Sequence, residues 1–259
     1  MNFLALILTL LVGLFIFIGS VIGTYFKNNK KFTDFSICVA FGVIIGLIIF
    51  EITPEAFEIL NGELGNIRAI LSIIVLSLIG IVVLKMLDMF VPCHEHEVHH
   101  NHKHRNEKCH NDHLFHIGII SAMAVILHNL IEGMSLYLIS KTSITSGLLL
   151  CIGIGLHNIP MGLVISSTLY SSNYSKKKTL NISLIVSIST FIGGFIMFIL
   201  GGVNNLVEGI LLGFTLGMLI YISLFELLHQ IYHMKNKKNV RIGIFIGLIL
   251  LIISVLLGH

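Results

Sequence analysis

Two apolar stretches of the chain each carry a histidine–asparagine pair that is followed, at the same distance, by a glycine. The first reads HNLIEG and begins at His128, and the second reads HNIPMG and begins at His157. His128 and Glu132 stand four residues apart, which puts an imidazole and a carboxylate on one helix face, one turn from each other. These two ligand types suit borderline divalent ions such as Zn²⁺, Fe²⁺, Mn²⁺ or Co²⁺. The pattern therefore predicts a metal or proton site.

The second motif offers a related set of groups. His157 and Met161 have the same spacing and present a nitrogen and a thioether, although a lone methionine more often serves packing. Pro160 cannot donate to the carbonyl of Leu156, so that oxygen is free to face a cavity or a ligand. The predicted metal ligands are His128, Asn129, Glu132, His157, Asn158 and Met161, with Glu226 of a later apolar stretch on the same pathway.

The composition indicates a membrane protein. Of 259 residues, 55% are hydrophobic and only 11% are charged, and the mean hydropathy is +0.96. A soluble domain has about a quarter charged residues, so this chain cannot cover a water-facing surface. We expect one all-α transmembrane domain over 1–259, with the lipid bilayer and divalent metal ions as partners and neither nucleic acid nor a cofactor. Whether it forms a homodimer is left open.

Eight apolar runs are long enough to cross a bilayer as helices, which takes about 20 residues each. They fall at 2–26, 35–60, 67–92, 115–140, 145–170, 179–203, 206–231 and 241–258. Thirteen of the 16 Lys and Arg residues lie in alternate loops. The positive-inside rule makes those loops cytoplasmic. The sequence thus predicts eight spans in the cytoplasmic membrane, with both termini outside.

Runs 2 and 7 contain an internal repeat. Gly42, Gly46 and Glu55 have the spacing G-x3-G-x8-E, and the second copy of that spacing starts at Gly213 and ends at Glu226. The two runs cross in opposite directions, so a direct sequence repeat predicts an inverted structural one, in a 3+2+3 arrangement of helices. The alternative is that G-x3-G is common helix-packing chemistry in membranes.

A histidine-rich loop is predicted at 93–116, between runs 3 and 4. It holds nine of the 14 histidines, together with several acidic residues and the cysteines Cys93 and Cys109. Neutral imidazoles on a flexible segment bind Zn²⁺-like ions in loose geometries. We expect a sink or sensor for cytosolic metal. Near it, His229 and His233 extend the face of Glu226, as a solvated exit or as snorkelling side chains.

With these motifs in place, the chain resembles the ZIP (Zrt-, Irt-like) family of divalent metal transporters. The layout of eight spans, the histidine-rich loop and the paired HNxxEG and HNxPxG motifs carry the likeness, and a bacterial GufA-like branch with HNxPEG in both helices is the most similar. The resemblance implies transport of Zn²⁺, often also Fe²⁺, Mn²⁺ or Cd²⁺, into the cytoplasm through a midplane site. It implies that the HN pairs, Glu132 and Glu226 are ligands.

The chain also departs from the family pattern. Met161 stands where a second glutamate is expected, Thr190 stands where the sixth span often has one, and His229 replaces a common proline. Glu132 is then the sole carboxylate of the set. This predicts one bound ion rather than two, and Met161 shifts the preference towards softer ions.

Three functions remain from sequence alone. The first is a carrier of divalent metal, most simply zinc, that works by alternating access around the midplane site. The second is a sensor or regulatory membrane protein in which the transport site has decayed. The third is an intramembrane zinc hydrolase with Glu132 as general base, but no serine, aspartate or second acid stands beside the histidines, so no enzyme is expected.

Overall fold

A computed structural model of the chain describes residues 2–26, 29–90, 102–172, 174–202 and 204–258, with the backbone alone at Asn2, Phe90, 102–113 and Gly258. Within these ranges the chain forms eight long helices. They are α1 (Asn2–Tyr25), α2 (Lys30–Leu64), α3 (Asn66–Phe90), α4 (His102–Thr142), α5 (Ile144–Ser171), α6 (Lys176–Leu200), α7 (Asn205–His233) and α8 (Lys237–Gly258). Each contains a segment long and apolar enough to span a membrane, which confirms the all-α fold and the number of spans.

Polar residues at the helix ends explain where several spans begin and end. Side-chain oxygens accept a hydrogen bond from the first turn at Asn29, Ser143, Ser175 and Asn204. These N-caps satisfy amide groups that have no partner inside the helix. At the other end of α6, Gly201 has φ 75, a left-handed conformation that glycine adopts without steric cost.

Helices α2 and α7 each contain one π-helical segment in an otherwise α-helical span. In α2 it covers Ile48–Ile52 and in α7 it covers Ile222–Leu227. Glu51 lies within the first segment and Glu226 within the second. A π turn inserts an extra residue and rotates the following side chains, and such turns are frequent at functional sites.

The helices pack as a bundle around α4 and α5, which lie against each other. α1 packs on α5, α4 on α6, α2 on α8, and α3 on α7. The thiol of Cys38, early in α2, lies 3.5 Å from the sulfur of Met234, directly after α7, so these two spans run in opposite directions. Cys38 and Cys151 are buried and free.

Close contacts of glycines reveal a pseudo-twofold relation between the halves of the chain. A side chain at Gly133 would meet the carbonyl of Thr190 in α6, and one at Gly162 would meet the carbonyl of Ile16 in α1. The reciprocal contacts are Gly193 with Leu130 and Gly19 with Ile159. The two sets correspond position by position, with α1 matching α6 and α4 matching α5. The predicted inverted repeat is therefore confirmed in the packing.

The register of that repeat in α2 and α7 differs from the sequence prediction by one helical turn. Gly42 approaches the carbonyl of Ile244 in α8, and its counterpart in α7, which approaches the carbonyl of Ser77 in α3, is Gly217. The sequence pattern had matched Gly42 with Gly213. Sequence spacing cannot distinguish these registers, because G-x3-G offers two equivalent glycines; the contacts with the neighbouring helices decide.

With the corrected register, Glu51 becomes the counterpart of Glu226. The two π-helical segments then coincide as well, since each contains the matched carboxylate. Glu55, which the sequence pattern had paired with Glu226, lies one turn further along α2.

Most of the predicted histidine-rich loop lies outside the part of the chain whose side chains the structure describes. Residues 91–101 lie outside the described ranges, and the side chains of 102–113 are not described either. The backbone is helical from His102 onward, so α4 begins well before the apolar run. The prediction of a loop throughout 93–116 was therefore wrong for its second half, and the prediction of metal binding by its side chains stays untested.

Candidate metal centre

Three buried side chains from α4 and α5 converge on one carboxylate oxygen. Nε2 of His157 lies 2.7 Å from Oε1 of Glu132, and Nε2 of His128 lies 2.9 Å from the same oxygen. The His128 contact lacks hydrogen-bond geometry. Ligand atoms of the three residues all lie within 4.8 Å of one another. Two imidazole nitrogens and a carboxylate oxygen at this spacing can share one divalent ion.

The orientation of His157 is set from the far side of its ring. Its Nδ1 lies 2.9 Å from the hydroxyl oxygen of Ser254 in α8, and that hydroxyl donates to the carbonyl of Gly153 at 2.6 Å. Because the only hydroxyl proton is used for Gly153, the Nδ1 of His157 must donate to Ser254. In the neutral imidazole, Nε2 then carries a lone pair towards Glu132. This is the tautomer that a metal ligand requires.

Two asparagines flank the cluster at the same level of the helices. Asn129 donates to the carbonyl of Val186 at 3.2 Å, and Asn158 donates to Oε2 of Glu132 at 3.5 Å. The amide oxygens of both are buried, with no hydrogen-bond partner among the described residues. A buried acceptor without a donor costs free energy, so each oxygen suits a cation or a water molecule that the ion brings.

Helix packing brings the two motifs to the same level. His128 and Glu132 share a face by their spacing in α4, and α5 stays helical through Pro160. The glycine that ends each motif allows close approach of a neighbouring helix, Gly133 to α6 and Gly162 to α1. Within α4, the four-residue spacing of His128 and Glu132 places both ligands on one face. Between helices, Gly133 and Gly162 allow the close packing that holds the two motifs at one level.

The positions where the resemblance suggested further carboxylates hold apolar or neutral groups. Met161, the pseudo-symmetric counterpart of Glu132, is fully buried in the main hydrophobic core. Thr190 is also fully buried, and its hydroxyl has no hydrogen-bond partner among the described residues. Met161 thus packs in the core, and Glu132 is the only carboxylate of the buried His128–Glu132–His157 cluster.

A second group of possible ligands joins three helices. Nε2 of His116 in α4 lies 2.8 Å from Oδ1 of Asp88 in α3, and its Nδ1 lies 3.9 Å from Oε2 of Glu226 in α7. The hydroxyl of Tyr221 donates to Oδ2 of Asp88 at 2.8 Å. Ligand atoms of Asp88, His116 and Glu226 lie within 4.8 Å of one another, so these three residues can also share one metal ion. Glu226, predicted from its position in an apolar run, is thus part of an acidic and histidine cluster.

Sequence reasoning did not single out Asp88 or assign His116 to a site. Asp88 is the one acidic residue in the third apolar run, and ionisable groups in a membrane segment usually have a function. That signal was present. His116 had no such signal, because it looked like the last histidine of a polar loop until α4 proved to continue through it.

Acidic groups also lie on the other side of the central cluster. Glu55 is close enough to Glu51, Glu208 and Glu132 to interact with the charge of each. Glu208, near the start of α7, accepts a hydrogen bond of 3.1 Å from Ser135, which stands one turn beyond Glu132 in α4. Carboxylates therefore follow the line of α4 away from the buried histidines.

Comparison with known proteins agrees with this chemistry. Residues 92–256 match the family model described as "ZIP Zinc transporter". The proteins named "Zinc transporter ZupT" of Chlorobaculum parvum and Chlorobium chlorochromatii are 31% identical over 183 residues and 29% over 189 residues. These matches cover 69% and 70% of this chain, and 68% and 69% of the relatives. A protein of the same name in Clostridium perfringens is 36% identical over 151 residues, which are 52% of this chain and 53% of the relative.

Proposed function

Because the chain belongs to the ZIP zinc transporter family, we propose that His128, Glu132 and His157 bind the transported ion halfway across the membrane. The protein is a multi-pass membrane protein that transports divalent metal, zinc above all, and it is not an enzyme. The hydrolase alternative is thereby removed. What remains to be proposed is how this particular chain performs the transport.

The observation that carries the proposal is a buried carboxylate held between two imidazoles. Ionisable groups inside a membrane protein are costly unless they pair or bind an ion. With Nδ1 of His157 donating to Ser254, the neutral ring turns a lone pair to Glu132, and two acceptors at 2.7 Å repel unless a cation lies between or near them. A divalent metal or a proton meets that need, and the metal is the family's substrate.

We propose one ion per passage rather than two. Glu132 supplies a single negative charge, and Met161 and Thr190 add none. The amide oxygens of Asn129 and Asn158 can complete the shell as neutral ligands. A site with two nitrogens and few charges suits Zn²⁺ better than the harder Mn²⁺, and Fe²⁺ and Cd²⁺ can compete for the same ligand types.

The carboxylates along the bundle support a path through this site. On one side Glu51, Glu55 and Glu208 attract a hydrated cation, and on the other side the Asp88–His116–Glu226 cluster receives it. The π-helical segment of α2 supplies Glu51 to the first side, and the matching segment of α7 supplies Glu226 to the second. Alternating access follows if the two related halves rock about α4 and α5, since inverted repeats give two equivalent packings.

The direction of insertion is also a proposal. Lys30, Lys177 and Lys237 lie in the first turns of α2, α6 and α8, at the same end of the bundle, which we name the basic end. By the positive-inside rule it faces the cytoplasm, so both termini lie outside and 93–116 binds metal in the cytosol. The exposed apolar faces, that of α3 above all, would contact the lipid of the cytoplasmic membrane; a homodimer through one of them is the alternative.

The test is zinc uptake into proteoliposomes that contain the purified chain. We expect uptake by the wild type and its loss in a His128→Ala/His157→Ala double variant, because two of three ligands are removed. Ser121→Ala/Cys151→Ala is the matched control, since it also truncates one buried side chain in each of α4 and α5. It should transport like the wild type.

Two outcomes contradict the proposal. Uptake that persists in the histidine double variant would place the path elsewhere. Zinc binding without uptake in the wild type would favour the sensor; deleting 94–113 then distinguishes the two, because a carrier keeps its flux and loses only regulation.

A further inference from the structure

The last turn of α7 carries two histidines that the transport site does not use. His229 and His233 stand four residues apart, and both are exposed. Their ring centroids are 4.9 Å apart with an interplanar angle of 67°. The segment that holds them, Leu228–His233, is regular α-helix beyond the π-helical segment. The two imidazoles therefore lie side by side on one helix face.

This arrangement is a known way to chelate a metal ion from a single helix. Histidines at i and i+4 bind zinc through one nitrogen each, with other ligands or water completing a tetrahedron. The position of the pair at the C-terminal end of α7 also favours binding of a cation. The helix ends at His233, with the amide of Met234 bonded to the carbonyl of Ile231, and the carbonyl end of a helix attracts cations.

A neighbouring lysine is bonded to the backbone of this helix end. The Nζ atom of Lys237 donates to the carbonyl of Tyr232 at 2.8 Å. Lys237 takes a carbonyl oxygen and not an imidazole nitrogen, and a lysine has no acceptor with which to compete as a ligand. The ring of Tyr232 also lies beside the pair, with its centroid 5.5 Å from that of His233.

We propose that His229 and His233 form a separate, solvent-facing site for a Zn²⁺-class ion at the basic end of α7. Its first ligand, His229, stands three residues beyond Glu226 in the same helix. Its role as a relay, which takes the ion from the Asp88–His116–Glu226 cluster to the histidine-rich segment, rests on the proposed function. The existence of the site does not rest on the proposed function, because His229 and His233 are exposed and lie outside the buried His128–Glu132–His157 cluster.

Residue-specific modification of histidine by diethyl pyrocarbonate, measured by mass spectrometry, tests the site in the purified full chain. Added Zn²⁺ should slow modification of both His229 and His233 several-fold, whereas Mg²⁺, which prefers oxygen ligands, should not. In His229→Gln, His233 should lose its protection because a chelate needs both rings. Leu228→Gln, an exposed change one residue away, should keep it.

Protection of His233 that is unchanged in His229→Gln would overturn the proposal, and so would equal modification of both histidines with and without Zn²⁺. The same measurement on His128→Ala/His157→Ala separates this site from the transport site. Protection at His229 and His233 should survive there even though flux is lost. If flux persists in that variant while protection is seen, the transport proposal fails and this one stands.

Discussion

Glu132 is the residue on which the buried cluster depends, and its neighbours explain how a single carboxylate can serve. Both imidazoles point an Nε2 atom at one of its oxygens. Ser254 fixes the ring of His157 from behind, in the way that hydrogen-bonded partners commonly orient metal-binding histidines. The ligand set is small, so the groups that hold it in position matter more than in a site rich in carboxylates.

Ser254→Ala should weaken zinc binding without removing a ligand. The Nδ1 atom of His157 loses its acceptor, so the ring can turn and the other tautomer becomes available. Loss of such a partner typically costs about 10–100-fold in metal affinity, and we expect the KM for zinc uptake to rise by that order. Ser254→Thr keeps a hydroxyl and should stay close to the wild type. A KM in Ser254→Ala equal to that of Ser254→Thr would contradict the assignment.

Met161→Glu should add a metal ion to the central site. Position 161 is the pseudo-symmetric counterpart of Glu132. A carboxylate there would stand four residues after His157, as Glu132 stands four residues after His128, and would supply a second acidic ligand. We expect the zinc content per chain, measured by elemental analysis, to rise by about one ion. Met161→Gln is the uncharged control with nearly the same shape; equal zinc content in both variants would rule out a second ion at this position.

At the scale of the helices, small residues and π turns determine where the ligands lie. Gly133 and Gly162, directly after the two motifs, let α6 and α1 approach to backbone contact. The π-helical segments of α2 and α7 each contain a carboxylate. The glycines act by their lack of a side chain, and the π turns act by rotating the side chains that follow them.

Gly133→Ala should destabilise the fold, because an added methyl group would meet the carbonyl of Thr190, which is backbone and cannot rotate away. Overpacking of this kind costs about 1–3 kcal/mol, sometimes more. Gly62→Ala is the matched control: nothing lies within 4 Å of its added carbon, so it should be neutral or slightly stabilising. Thermal unfolding in detergent measures both. Equal melting temperatures would show that α4 and α6 do not pack this closely.

The whole molecule is organised by an inverted repeat that relates the two sides of the membrane. The repeat matches α1 to α6, α2 to α7 and α3 to α8, while α4 and α5 exchange places. It is imperfect where function requires a difference, since Glu132 corresponds to Met161. Because the helices are related by the repeat, the bundle can adopt two related arrangements, one open to each side of the membrane. The same ligands, which the repeat does not duplicate, hold the ion in both.

The proposed orientation predicts which residues are reached from outside the cell. In a variant without the four native cysteines, Gly62→Cys should react with a membrane-impermeant maleimide on intact cells. Lys177→Cys should react only after the membrane is opened. Both positions are exposed and lie at opposite ends of the bundle. The reverse labelling pattern would show that the basic end faces outward, against the positive-inside rule.

Much of the architecture follows from local pattern. Apolar runs of membrane length predict the eight helices, because in lipid each helix must satisfy its own backbone groups. The spacing of His128 and Glu132 predicts a shared face for the same local reason. For His116 the sequence predicts a loop, because its polar neighbours give no indication that α4 begins at His102.

The sequence by itself thus determined the spans, the two motifs and their chemistry, since each depends on residues within one helix. The tertiary structure alone decided that Glu226 meets Asp88 and His116, that Ser254 orients His157, and that Glu51 and not Glu55 mirrors Glu226. The physical reason is that these relations join helices far apart in the chain. Their register is set by contacts of small residues between helices, which spacing along one helix does not encode.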